Sequence, residues 1–264
     1  MKYLLNLTFI LILFVFALAC KNEVPAEDKT EMILGTADSL RYTIERLLRV
    51  EDNCTGDTCA RIEINYVSLE ATEEDSAAQN INQLILDDLR GKEYTNVVAY
   101  ANGFLREYAQ DKKDIPDMSP WNAESNQKVL TNTSKVLCIK TTFYNFTGGA
   151  HGLYGTVYNN YQPKTGKKIT LEQLIAPNVM EEFLEIAEEF FRKDMAIASQ
   201  EDLGEAGYDF RNDQFYVPNN FGLLPDGVVF TYGLYEIASY VQGEQEFSIP
   251  YNVLEELMQE GIIH

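Results

Sequence analysis

Histidine can take part in chemistry at one internal position of this sequence. The 264-residue chain holds two histidines, His151 and the terminal His264. His151 lies in the glycine-rich run at residues 147–152, and imidazole titrates near neutral pH. A nucleophilic triad would also need an activated serine or cysteine, and the sequence has no Gly-x-Ser-x-Gly elbow. Three roles therefore remain for His151: hydrogen bonding within its own loop, contact with a ligand, and catalysis together with a carboxylate.

Glycines and tyrosines around His151 indicate a binding surface. Gly148 and Gly149 allow the positive φ angles of a tight turn. Tyr154 and Tyr158 alternate along a predicted strand and so share one face, where their rings can stack on sugars or seat a protein partner. Packing of these tyrosines beneath a helix is an equal alternative. We predict ligand contacts at Gly148, Gly149, His151, Tyr154 and Tyr158.

Residues 1–19 have the pattern of a cleaved export signal. A basic start precedes an apolar run that is shorter than the roughly 20 residues needed to cross a bilayer. Ala17-Leu18-Ala19-Cys20 resembles a bacterial lipobox, with alanine where leucine is usual, and so predicts lipidation of Cys20. Cleavage by ordinary signal peptidase, which leaves Cys20 free, is the alternative. Lys21 follows the cysteine, and by resemblance to sorted lipoproteins this indicates the outer membrane, on its periplasmic or surface side. Residues 20–36 are polar and acidic, as expected of a tether.

An exported chain meets an oxidising compartment, so its cysteines are expected to pair. Cys54 and Cys59 flank a turn sequence between two predicted strands, and we predict a disulfide between them. Structural zinc needs four Cys or His ligands. With Cys54 and Cys59 paired, Cys138 is the one thiol left besides Cys20. The sequence therefore predicts no metal site and no cofactor, and it predicts that Cys138 is a buried free thiol.

The charge of the chain restricts its partners. The sequence has 21 Lys and Arg against 41 Asp and Glu, a net charge of −20. Nucleic acid is an unsuitable partner, because phosphate binding relies on Lys and Arg. A cationic partner would be attracted, although the acidity can also serve only to keep the protein soluble.

Strands and helices are predicted in blocks. Strands are expected at 42–50, 60–69, 136–146, 154–162, 168–170, 214–217, 228–232 and 245–249, and helices at about 76–89, 96–111, 178–198 and 251–260. This order favours an α+β fold with largely antiparallel sheets and helices packed on one face. We expect two subdomains, 37–115 and 120–264, within one compact unit.

Several motifs resemble a known pair of domains. The runs at 146–152, 161–171, 235–238 and 249–251 resemble the C-terminal domain of unknown function shared by RsiV-type lysozyme-sensing anti-sigma factors and PdaC-type peptidoglycan deacetylases. The runs at 60–66 and 81–85 are similar to the smaller domain that precedes it. The resemblance covers about residues 40–258.

The resemblance implies binding more than catalysis. The anti-sigma factors also need a cytoplasmic segment and a membrane-spanning helix, and the deacetylases need a metal-dependent catalytic domain; what this chain shares is the non-catalytic module. We therefore expect an envelope lipoprotein that binds a cationic envelope-active protein, such as a lysozyme-like enzyme, or peptidoglycan glycan. The alternative is a cell-wall glycan hydrolase or transferase that uses His151 with a carboxylate.

Overall fold

The computed structural model describes residues 30–33, 39–56, 58–259 and 261–263. The predicted signal peptide and the predicted lipid attachment at Cys20 lie outside the described residues, and both stay predictions. No helix among the described residues combines the length and apolar character that crossing a membrane requires.

Nine strands and five α-helices occur in the described part of the chain. The strands are β1 Thr30–Ile33, β2 Tyr42–Val50, β3 Arg61–Leu69, β4 Asn122–Asn132, β5 Leu137–Phe146, β6 Leu153–Tyr161, β7 Phe221–Leu223, β8 Gly227–Tyr232 and β9 Gln245–Pro250. The helices are α1 Ser76–Arg90, α2 Val97–Asp114, α3 Leu171–Leu174, α4 Met180–Asp194 and α5 Tyr251–Leu254. The predicted α+β class is confirmed.

Strands β1 to β6 form one sheet in sequence order. Every neighbouring pair is antiparallel except β3 and β4, which are parallel. A parallel pair needs a long crossover connection, and here α1 and α2 supply it. The sheet therefore runs through the predicted boundary near residue 116 and joins the two predicted subdomains.

Helices α1 and α2 cover part of this sheet with apolar side chains. In α1, Ala78, Ile81 and Ile85 are buried against Leu137 and Ile139 of β5. In α2, the core side chains Val97, Ala101, Phe104 and Tyr108 pack with Ile62, Ile64 and Trp121. The helical spacing of these residues is what predicted both helices.

Strands β7, β8 and β9 form a second, antiparallel sheet. Helix α4 packs on it through Phe183, Ala187 and Phe191, which recur every four residues and are fully buried. The second sheet joins the first through Asn160 of β6. The Asn160 side chain donates to the Phe221 carbonyl at 2.7 Å and accepts from the Leu223 N–H at 2.9 Å, so hydrogen bonds tie the two sheets together.

Some predicted elements differ from the structure. Residues 168–170 form only an isolated bridge between Lys168 and Tyr161. Residues 214–217 are not a strand as predicted, and the strand in this part of the chain is β7, which begins at Phe221. Strand β4 was not predicted, because two of its three buried residues, Gln127 and Thr131, are polar. Helices α4 and α5 end earlier than expected. Strand β1, which lies within the predicted tether, pairs with β2.

The predicted disulfide between Cys54 and Cys59 is present, with the two Cα atoms 5.7 Å apart. It closes the tip of the hairpin between β2 and β3. We expect that replacing both cysteines by alanine lowers the free energy of unfolding by about 2 kcal/mol, because the small ring restricts the unfolded chain. Urea unfolding measures this difference. A destabilisation below about 0.5 kcal/mol would contradict this attribution.

Candidate functional site

The glycine-rich run forms the turn between β5 and β6. Gly148 and Gly149 have φ angles of 105° and 91°, a conformation that suits glycine. Gly152 is required for a different reason, because a Cβ atom there would lie 2.5 Å from the Tyr144 ring. Backbone conformation and close ring packing thus account for these three glycines.

His151 is exposed at the end of this turn and contacts an aromatic ring. Its imidazole stacks on the Tyr240 ring with centroids 3.9 Å apart and an interplanar angle of 27°. Its Nδ1 atom lies 3.3 Å from the Gly152 carbonyl oxygen. Within the described part of the chain, no carboxylate and no Ser or Cys side chain forms a hydrogen bond with His151. The arrangement needed for histidine-assisted catalysis is therefore not assembled among these residues.

Tyr240 connects the turn to the second sheet. It lies between β8 and β9, and its hydroxyl donates to the Gly152 carbonyl at 2.8 Å. Its ring centroid is 5.9 Å from that of Tyr154 and 5.7 Å from that of Tyr235. Desolvation raises the pKa of the Tyr240 hydroxyl, and the neighbouring tyrosines raise it further by a smaller amount. The hydroxyl therefore stays protonated and keeps this hydrogen bond.

The rings of His151, Tyr154 and Tyr235 contact the ring of Tyr240, and Tyr144 lies opposite Tyr154 on the neighbouring strand. We call these five residues the aromatic cluster. Three of its tyrosines are substantially exposed: Tyr144 and Tyr154 at 37% and Tyr235 at 61%. The members of the aromatic cluster are Tyr144, His151, Tyr154, Tyr235 and Tyr240. Exposed tyrosines grouped in this way are typical of binding surfaces.

Tyr235 is displayed in an unusual backbone conformation. Its φ angle is 64°, and such a conformation costs about 1–3 kcal/mol for a residue with a bulky side chain. The turn is held by Glu236, whose side chain accepts from the Gly233 N–H at 2.8 Å and whose N–H donates to the Gly233 carbonyl at 3.1 Å. Strain that the surroundings maintain at an exposed ring points to a functional role.

Tyr158 is largely buried and lies outside the exposed aromatic cluster, although it lines the cleft described below. Its ring shares a strand face with Tyr154, but the second sheet covers it and leaves it 7% exposed. Its hydroxyl donates to Glu246 at 3.0 Å, and burial raises its pKa strongly. The alternation of the strand identified the shared face correctly, but it could not show where the covering sheet ends.

A cleft of about 740 Å³ begins at Tyr154 and follows the edge of β6. Side chains occupy that edge. The Thr156 N–H donates to Glu244 at 2.7 Å, and the Tyr158 N–H donates to the Asn220 side chain at 2.8 Å. Asn220 in turn donates to the Thr156 carbonyl at 2.7 Å. Because these backbone groups are bonded, the edge does not offer them to an added strand.

The charges that line the cleft are mainly negative. Glu172, Glu236 and Glu244 contribute carboxylates. Lys168 contributes a positive charge, but it is paired with Asp88 at 2.7 Å. The cleft therefore favours neutral or cationic ligands over anionic ones.

The remaining cysteine, Cys138, lies in the protein core. Cys138 is buried and free, as predicted, and burial raises the pKa of its thiol to about 12. Its thiolate is therefore not available near neutral pH. The described residues contain no group of three or more His, Cys, Asp or Glu side chains placed to hold a metal ion.

Two family models match the chain in adjacent regions. Residues 54–154 match the family "Deacetylase PdaC", and residues 172–252 match the "Protein of unknown function (DUF3298)". The paired-domain resemblance is confirmed. The motif at 147–152 had been attributed by resemblance to the C-terminal domain, yet it falls within the PdaC match. The aromatic cluster takes Tyr144, His151 and Tyr154 from the PdaC region, and Tyr235 and Tyr240 from the DUF3298 region.

Solved structures share the fold. A DUF3298 family member from Bacteroides fragilis has 18% sequence identity and a TM-score of 0.72, and a DUF3298 family protein from Pseudomonas aeruginosa has 20% identity and a TM-score of 0.63. Each alignment covers 90% of this chain and 96% of the other. The comparison with curated proteins gives no match.

Three members of the aromatic cluster were not among the predicted contact residues. Tyr144, Tyr235 and Tyr240 come from separate parts of the sequence, and Tyr240 lies 88 residues from its hydrogen-bond partner Gly152. One signal was available, because Tyr235 stands in a run that carries the family resemblance. The contact between the two regions could not be read from either run alone.

Proposed function

We propose that the protein is a non-catalytic binding module of the cell envelope that contacts a cationic envelope-active protein, such as a lysozyme-like enzyme, through the aromatic cluster. The observation that carries this proposal is the grouping at the surface of four contacting rings from both matched regions, with Tyr144 beside them. Tyrosines are enriched at protein interfaces, where a few of them dominate the binding energy.

The charge supports a cationic partner. The net charge of −20 and the carboxylates of the cleft attract basic proteins and accelerate their encounter. The predicted export signal and the predicted lipid on Cys20 would place the module at the outer membrane, where it meets such proteins. Several acyl chains would hold it there stably.

Salt dependence tests the electrostatic part of this proposal. We expect the association rate with lysozyme to fall at least tenfold between low ionic strength and about 0.5 M salt, because screening shortens the range of attraction. Stopped-flow or surface-binding kinetics on the form beginning after Cys20 measure the rate. A rate that does not change with salt would contradict attraction by charge.

Peptidoglycan glycan is a second candidate that the cleft favours. The cleft volume of about 740 Å³ lies within the range of small-molecule sites, and aromatic rings and amides recognise sugars. Glycan oligomers should then bind the isolated protein directly in a calorimetric titration that contains no lysozyme, because lysozyme itself binds and cleaves such oligomers. An absence of binding at high oligomer concentration would remove this candidate and leave the protein partner.

The hydrolase or transferase hypothesis makes a distinct prediction for His151. If His151 belongs to a binding surface, the substitution His151→Ala should weaken partner binding. The rate at which the purified protein turns over cell-wall glycan should then stay unchanged. The stacked contact with Tyr240 is lost in that variant. Turnover assays on cell-wall glycan measure this, and a turnover that disappears with fold and binding intact would support catalysis.

A further inference from the structure

The cleft beside the aromatic cluster contains carboxylates without a basic partner. Glu236 and Glu244 both line it. Among the residues that the structure describes, neither forms an ion pair with Lys or Arg. A cationic group that enters the cleft would therefore gain both attraction and hydrogen bonds.

Hydrogen bonds to the protein fix both carboxylates in place. Glu236 accepts from the Gly233 N–H at 2.8 Å and from the Tyr216 hydroxyl at 3.3 Å. Glu244 accepts from the Thr156 N–H at 2.7 Å. A ligand therefore meets acceptors that are already oriented, which lowers the entropy cost of binding.

Aromatic rings stand beside these acceptors. Tyr154 also lines the cleft, with 37% of its surface exposed, and its hydroxyl would lie 3.1 Å from a Cβ atom at Gly243, the residue before Glu244. Tyr235 immediately precedes Glu236. A guanidinium group is flat, stacks on aromatic rings and bonds carboxylates through its fork of N–H donors. An ammonium group matches the charge but not the flat shape.

We infer that the cleft accepts an arginine side chain of the partner, whose guanidinium bonds the carboxylates of Glu236 and Glu244 and stacks on Tyr154. The inference rests on the proposed function and deepens it by naming the group that the partner presents. A side chain fits this position better than a strand, because Glu244 and Asn220 already occupy the edge of β6. Arginine recognition also agrees with a basic protein partner.

A small probe tests the inference without the partner. N-acetyl-arginine amide is titrated into the isotope-labelled protein while the backbone N–H signals of Gly233 and Thr156 are followed by NMR. N-acetyl-citrulline amide, which has nearly the same shape and no charge, is the matched probe. We expect saturable shifts at both N–H groups with arginine and none with citrulline.

Variants assign the effect to the carboxylates. Glu236→Gln and Glu244→Gln each keep an oxygen that accepts the existing N–H bond, so the fold is preserved. Each should weaken arginine binding at least fivefold, whereas Glu181→Gln, an equal charge change at an exposed position of α4, should not change it. Equal weakening in all three variants, or equal shifts with citrulline, overturns the inference.

Failure of the proposed function has a different signature. If the wild-type protein binds the arginine probe but not lysozyme, the lysozyme-like partner is wrong and the arginine site stands. If lysozyme binds the wild-type protein and both Gln variants equally, the partner stands and the arginine site is overturned.

Discussion

Replacing Tyr235 by alanine is expected to weaken lysozyme binding by about 2 kcal/mol, or roughly thirtyfold in Kd. Tyr235 is the most exposed tyrosine of the aromatic cluster, at 61%, and its backbone is held in a left-handed conformation. Its ring is therefore presented before the partner arrives, and little entropy is lost on contact. Calorimetry or surface-binding equilibria give the two Kd values.

Two control variants isolate the ring. Tyr235→Phe keeps the ring and the same backbone constraint, so it should retain most of the affinity. Ile115→Ala removes an apolar side chain that is 58% exposed outside the cluster, and it should leave Kd within about twofold, as most peripheral truncations do. An equal loss of affinity in all three variants would show that the cluster is not the contact.

Replacing Phe191 by alanine is expected to lower the free energy of unfolding by about 3–5 kcal/mol. Phe191 is fully buried in α4. Its ring contacts five other aromatic rings, three from the segment between α4 and β7 and two from the second sheet: Tyr208, Phe210, Phe215, Tyr232 and Phe247. Removing the ring leaves a cavity that this rigid environment cannot close.

Phe190 provides the matched control for this change. It is the preceding residue of the same helix and is only half-buried, so its truncation removes fewer contacts. Urea unfolding of Phe190→Ala should show a loss less than half that of Phe191→Ala. A loss below about 1 kcal/mol for Phe191→Ala would contradict the assignment of this ring to a closely packed core.

The elements with strong local signals were predicted correctly. Strands β5 and β6 have β-branched and aromatic residues bounded by a glycine-rich turn, and α1 and α2 have apolar residues at helical spacing. The disulfide was predicted from two cysteines beside one turn in a chain with a predicted export signal. In each case the determining interactions lie within a few residues of one another.

The parts that were missed depend on distant contacts. Strand β4 carries polar residues on its outer face, and its pairing with β3 and β5 determines its conformation. Tyr154 and Tyr158 have the same strand parity, yet only Tyr158 lies beneath the second sheet. Tyr240 reaches Gly152 from 88 residues away. Sequence patterns identify a face of an element but not the element that covers it.

Hydrogen exchange during lysozyme binding tests the central claim most directly. The account predicts that added lysozyme protects the backbone N–H groups of residues 144–154 and 233–244, which carry the aromatic cluster and the adjoining carboxylates, and leaves α2 unchanged. Protection confined to other segments, or no protection at concentrations that saturate binding, would contradict it.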